Sequence, residues 1–71
     1  MQEEIRDAKG RLACIGDPTT GIIKAVYKSM SNTITLLVGQ STTLEREECL
    51  TVIERETAEN FLIKRYTQNS T

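Results

Sequence analysis

Short runs of β-forming residues alternate with turn-forming clusters along most of this chain. The clearest runs are residues 22–28, 33–38, 43–46, 49–55 and 61–66. In the first two runs, alternation with a period of two collects apolar side chains on one face: Ile23, Ala25, Tyr27, Ile34, Leu36 and Val38. Turn-forming residues lie between these two runs at positions 30–32, so the pattern predicts a β-hairpin.

The start of the chain is less regular. Residues 3–9 predict a short helix or a disordered lead-in, with acidic side chains first and Gly10 just after the end. Residues 11–15 form a compact apolar run and predict a first strand. Pro18 then fixes a backbone φ that suits a turn, which separates this strand from the next.

Two interpretations remain open after Ser41. Residues 43–53 predict strands with a turn or a bulge at positions 47–48. The alternative is a helix whose first turn is closed by a Thr–Glu capping box. A β-branched triplet starting at Thr51 favours strands, because such side chains lose rotamer freedom in a helix. The same ambiguity applies to residues 61–66, where we also expect a strand.

The sequence therefore predicts a mainly β fold, a small antiparallel meander or barrel-like sheet of about five strands, with a short N-terminal helix as an optional addition. The alternative is an α+β fold with a helix after Ser41. We expect a single domain over residues 1–71, in which residues 1–9 and 68–71 are peripheral or flexible. The predicted core consists of Leu12, Cys14, Ile23, Ala25, Tyr27, Ile34, Leu36, Val38, Leu50, Val52, Phe61 and Ile63.

A chain of 71 residues has room for only a small core. A domain of this size buries about 60% of the surface that its unfolded chain exposes, and small domains compensate through disulfides, metals or oligomerisation. Cys14 and Cys49 have apolar neighbours, and we expect both to be reduced and buried. A disulfide between them stays open, since pairing depends on their distance in space. Oligomerisation is the remaining way to add stability.

Residue types that catalytic sites need are scarce. The chain contains no histidine, which removes the commonest general base and any Ser–His or Cys–His pair within one chain. The carboxylates of Glu45, Glu47 and Glu48 lie close in sequence, but calcium and structural zinc sites need more ligands than this chain groups together. We therefore predict no enzymatic activity, no cofactor and no metal site, and interpret the carboxylates as a charged strand edge.

The formal charge is nearly balanced, with nine Lys and Arg residues against ten Asp and Glu. Nucleic-acid-binding proteins usually carry a basic excess, because neutralising phosphates drives their affinity. A local site is still an alternative, since small barrels bind nucleic acid through stacked aromatic rings bordered by basic side chains. The candidate residues for that site are Lys24, Tyr27, Lys28, Lys64, Arg65 and Tyr66.

One segment resembles a known family in its β rhythm. From residues 37–41 through residues 63–65, the order strand, Gly, strand, turn, strand is similar to the opening of the carbon storage regulator family of RNA-binding dimers. The resemblance implies an RNA-binding dimer whose contacts come from arginines on the first strand and from a later strand and helix. This chain has Thr35, Leu36 and Leu37 in that region, and it has no segment that matches the later strand and helix of the family.

These features favour a non-enzymatic protein-interaction or structural module, with a homodimer formed through an exposed strand edge as one expected arrangement. The alternative function is a small nucleic-acid-binding β-barrel. The first residues are acidic, and no apolar run approaches the roughly 20 residues of a membrane span. We therefore expect a cytoplasmic protein with a protein partner and no membrane association.

Overall fold

The computed structural model describes the backbone of residues 2–27 and 30–67, and the side chains of all of these except residues 26, 27, 30 and 31. Within these residues the chain forms strands and no helix. The seven strands are β1 (Glu3–Arg6), β2 (Leu12–Asp17), β3 (Ile22–Tyr27), β4 (Met30–Thr35), β5 (Ser41–Arg46), β6 (Cys49–Arg55) and β7 (Phe61–Thr67).

The strands form two antiparallel meanders, a four-stranded sheet in the order β1-β2-β3-β4 and a three-stranded sheet in the order β5-β6-β7. This confirms the predicted mainly β, antiparallel fold. Of the two predicted forms, the meander is the one observed. The described strands do not close into a barrel, since no pairing joins β4 to β5 or β7 to β1.

The predicted hairpin in the first half of the chain is confirmed as β3 and β4. Ile23 lies opposite Ile34, and Tyr27 lies opposite Met30. The turn was predicted too late, because residues 30–32 belong to β4. The second strand was also predicted to extend too far, since the chain leaves the sheet after Thr35.

The N-terminal segment is a strand, and the expected helix over residues 3–9 does not form. Ile5 lies opposite Cys14 and only 1% of its surface is exposed. Burial against β2 outweighs the weak local helix preference of this segment. A bulge in the β1–β2 pairing leaves Ala13 without an opposite residue, and Ala13 and Cys14 are both buried in succession.

The segment after Ser41 forms strands, and the helix alternative is wrong. Glu47 and Glu48 form the tight turn between β5 and β6, with φ values of 46° and 71°. Two consecutive positive φ values characterise the hairpin turn whose twist matches that of the flanking strands. The last predicted strand is confirmed as β7.

The core lies between the inner faces of the two sheets. Its buried members are Ile5, Cys14, Ile23, Leu36 and Ile53, and partly buried side chains pack against them: Ala25, Ile34, Leu44, Phe61 and Ile63. Ile5 and Ile53 were missing from the predicted core.

Four predicted core residues occupy other positions. Val38 is 55% exposed, because it lies in the turn after β4. Leu50 and Val52 are half-buried on the outer face of β6, since the alternation on that strand buries Cys49, Thr51 and Ile53 instead. Leu12 is also only half-buried. The side chain of Tyr27 lies outside the described residues.

Candidate functional site

Four of the six residues that were predicted to form a nucleic-acid site have described side chains, and these do not share one face of the molecule. We call the face of each sheet that points away from the other sheet its outer face. Lys24 is exposed on the outer face of the four-stranded sheet, since its neighbours Ile23 and Ala25 turn inward. Lys64 and Tyr66 are exposed on the outer face of the three-stranded sheet, on the opposite side of the molecule.

Of the remaining candidates, Arg65 joins neither group. Arg65 alternates to the inner side of β7, and its Nε donates a hydrogen bond to the carbonyl oxygen of Arg6 over 2.6 Å. This bond links β7 to β1 at one side of the molecule. Lys28 and the side chain of Tyr27 lie outside the described residues.

A groove of about 510 Å³ lies on the outer face of the four-stranded sheet. Its lining combines an apolar floor with amide, hydroxyl, carboxylate and ammonium groups: Gln2, Ile15, Gly16, Asp17, Thr20, Ile22, Lys24 and Thr33. Ile22 is 43% exposed there.

A second cavity of about 230 Å³ opens between the sheets. Asn32 of β4 and Thr43 of β5 both line it, so it lies at the side where these two edge strands are not paired. Ala25 and Leu44 add apolar wall, and Cys49 contributes a buried thiol.

Asp7 lines the second cavity and is the centre of a network of hydrogen bonds. The Asp7 carboxylate accepts hydrogen bonds from the backbone N–H groups of Lys9 (2.9 Å) and Arg11 (3.0 Å) and from Nε of Arg11 (3.1 Å). Burial by itself would raise the pKa of Asp7, but these hydrogen bonds and the guanidinium charge of Arg11 outweigh it and lower the pKa. Asp7 is therefore ionised at neutral pH.

Arg11 connects this network to the turn between β5 and β6. Its Nη1 forms an ion pair with Glu47, and its Nη2 lies 3.6 Å from the sulfur of Cys49. These contacts join residues that are far apart in sequence, so the network fixes the relative position of the two sheets.

Arg55 also connects segments of the chain that are distant in sequence. Although only 9% of it is exposed, all three guanidinium nitrogens donate to backbone carbonyls, those of Pro18 (2.9 Å), Leu36 (3.0 Å) and Thr19 (2.8 Å). A buried arginine satisfied by carbonyl oxygens holds loops in place. Arg55 thereby ties β6 to the turn between β2 and β3 and to the segment after β4.

Both cysteines are free and buried. Burial raises the pKa of the Cys14 thiol to about 11, which keeps it protonated at neutral pH, whereas the thiolate is the reactive form. In the described part of the chain, no group of three or more acidic or cysteine side chains is placed to hold a metal ion.

The edges of the sheets are the remaining candidate surface. Four strands, β1, β4, β5 and β7, each pair on one side only within the described residues. Edge strands present backbone N–H and C=O groups to which another strand can add. Three of these edges carry charged side chains within the strand, and β4 carries none.

Sequence reasoning missed Asp7, Arg11 and Arg55, whose partners are distant in sequence or on backbone carbonyls. The β4 edge had a signal in the sequence, because residues 29–44 contain no ionisable side chain. If a strand within such an uncharged stretch lies at the edge of a sheet, it has no charged side chain that would discourage another strand from pairing with it.

Comparison with protein-family models, curated proteins and solved structures finds no match to this chain, so the resemblance to the carbon storage regulators stays one of strand rhythm. None of the described residues belongs to a helix that could cross a membrane.

Proposed function

We propose that this chain is a non-enzymatic protein-interaction or structural module that binds its partner by adding a strand to an exposed sheet edge. The observation that carries the proposal is the uncharged outer edge of β4, where backbone groups face away from β3. In strand addition, main-chain hydrogen bonds supply affinity and alternate side chains supply specificity.

The position of the bound strand follows from the surfaces beside β4. Thr33 belongs both to the edge strand and to the lining of the outer groove, next to Ile22 and Lys24. A strand added at this edge would extend the sheet on which the groove lies, and its outward side chains would lie next to the groove. As part of the same proposal, the protein works in the cytoplasm, a compartment that suits its two free thiols.

The competing function is nucleic-acid binding, and a titration separates the two. Fluorescence anisotropy with labelled single-stranded and duplex oligonucleotides at low salt should show no saturable binding. Micromolar, salt-sensitive binding, lost in a Lys64→Ala, Tyr66→Ala double variant, would instead support a nucleic-acid-binding module.

Strand addition itself is tested with proline. The Thr33 N–H points away from β3, so Thr33→Pro should leave the hairpin paired while it blocks an added strand. Capture of protein partners by the tagged chain should fall in this variant. Thr43→Pro on the β5 edge is the matched control and should retain them, and equal loss in both variants would contradict the use of β4.

A further inference from the structure

The phase of the backbone along β4 identifies which residues are available for pairing. The N–H of Leu36 donates to the carbonyl oxygen of Gly21 over 2.8 Å, as part of the pairing with β3. In an antiparallel pair, residues alternate between bonding to the neighbour and pointing away. Ile34 therefore bonds toward β3, and the backbone groups of Thr33 and Thr35 point to the open edge.

The open edge ends at Leu37. The N–H of Leu37 donates to the side-chain oxygen of Gln40 over 3.0 Å, and its carbonyl oxygen accepts from the Gln40 N–H over 2.9 Å. A short turn thus satisfies this residue locally. The outward groups left for a partner are those of residues 31, 33 and 35.

We infer that the partner of this edge is a second copy of the chain, whose β4 pairs antiparallel to the first with Thr33 on the two-fold axis. This inference rests on the proposed function and names its partner. With Thr33 opposite Thr33 of the second copy, Thr35 lies opposite Ser31, so every outward position meets an outward position. Each such pair exchanges two backbone hydrogen bonds, and the two four-stranded sheets become one continuous sheet.

The side chains of β4 suit this self-pairing. Thr33 and Thr35 are exposed and β-branched, and opposed threonines stabilise neighbouring strands. Among the described residues, the cation nearest to Thr33 is Lys24, which lies opposite it on β3. The two Lys24 residues would be about three strand spacings, ~14 Å, apart, beyond the screening length of ~8 Å at physiological salt. No like charges of the described residues therefore meet across the axis.

The β7 and β1 edges carry charged side chains that β4 lacks. The strand β7 carries Lys64 and Arg65, and a two-fold axis at either residue would place like charges directly opposite, which destabilises a sheet. The strand β1 has only four residues, carries Glu3 and Glu4, and has a bulge in its pairing. Charges and bulges of this kind protect edges against pairing. Leu37 and Val38, which are 63% and 55% exposed, follow β4 after Leu36 and extend its uncharged surface.

The oligomeric state and its dependence on β4 test the inference. Light scattering coupled to gel filtration should give twice the chain mass of 8.0 kDa. Thr33→Lys should raise the dimer dissociation constant about tenfold or more, because it opposes two like charges at the axis. Thr43→Lys is the matched control, since Thr43 is an exposed threonine on the β5 edge with its N–H in the same outward phase.

Charge exchange and cross-linking determine the register. Thr33→Glu should also weaken the homodimer, and an equimolar mixture of Thr33→Lys and Thr33→Glu chains should restore it. Thr33→Cys should oxidise to a covalent dimer, since residues on the axis would be about 5.5 Å apart between Cα atoms, within the disulfide range. Thr35→Cys should oxidise more slowly, because it faces a serine.

Three results would overturn the inference: a monomer at all concentrations, equal loss of the dimer in both lysine variants, or no recovery in the mixture. A monomer that still binds another protein through Thr33 would leave the proposed function intact. Salt-sensitive oligonucleotide binding would overturn the proposed function whatever the oligomeric state.

Discussion

Gly21 and Arg55 fit against each other so closely that no side chain can be added to the glycine. A Cβ atom on Gly21 would lie 2.7 Å from Nη1 of Arg55 and would also overlap the carbonyl oxygen of Leu36. Gly21 further has a φ of +79°, which side-chain-bearing residues rarely adopt. The turn before β3 therefore depends on glycine for both its conformation and its space.

Gly21→Ala should destabilise the fold more than the same change at another positive-φ glycine. Gly39 is the matched control, because its φ is +91° and nothing lies within 4 Å of its added Cβ. We expect Gly39→Ala to cost about 1–2 kcal/mol for the backbone alone, and Gly21→Ala at least ~2 kcal/mol more. Urea denaturation measures both, and equal costs would contradict the close approach.

Removing the Arg55 guanidinium should leave three backbone carbonyls without their donor. Each buried unsatisfied group costs about 1–3 kcal/mol, so Arg55→Met should destabilise the protein by at least ~3 kcal/mol. Arg55→Lys should be milder, since an ammonium can still donate to part of the set. Thermal melts followed by circular dichroism give the order of stability.

Arg65→Met is the control for the loss of an arginine as such. Arg65 is exposed and its Nε makes one bond to Arg6, so we expect a change under about 1 kcal/mol. If Arg55→Met is no more harmful than Arg65→Met, Arg55 does not act as the connection between β6 and the two loops.

The sequence predicts this fold well where local signals agree. In the β3–β4 hairpin, alternation and turn-forming residues point to the same structure, although the turn position and the end of the second strand were predicted too late. The segment around Ile5 has too little apolar pattern to indicate a strand, because its burial depends on Cys14 across the bulge. On β6 both faces carry apolar side chains, so the sequence alone does not say which face is inward.

The candidate surfaces also differ in how far the sequence indicates them. The uncharged β4 edge could be seen in the sequence, since its property is the absence of charge along a continuous stretch. The contacts of Arg55 could not, because Pro18 is 37 residues away and contributes only its backbone oxygen. Contacts to backbone oxygens leave no mark on the identity of the accepting residue.

The ionised state of Asp7 should make stability fall in acid. Its pKa is lowered in the folded state from the usual value of 3.8, so its stabilising contribution is present above that pH and is lost as the pH falls through the folded-state pKa. Asp7→Asn should be less stable than the unmodified chain at neutral pH, and the difference should shrink below about pH 4. Urea melts across this range test it, and a pH-independent difference would contradict the role of the charge.

The Cys14 thiol should be inert in the folded protein. Its pKa of about 11 and its complete burial leave almost no accessible thiolate near neutral pH. A disulfide reagent should react with the native chain only at the rate of its opening, and rapidly in denaturant. Thr43→Cys provides an exposed thiol for comparison, and a comparably fast reaction of the unmodified protein would contradict the burial of its thiols.

The two sheets contact each other at Gly16 of β2 and Phe61 of β7. A Cβ atom on Gly16 would lie 2.8 Å from Cε2 of the Phe61 ring, closer than packed carbon atoms approach. Gly16→Ala should therefore cost about 1–3 kcal/mol through overpacking. Phe61→Leu removes the ring edge and should recover part of that loss, so the double variant should be more stable than the sum of the two single changes predicts. Additive costs in a double-mutant cycle would show that the two sheets do not meet through this pair.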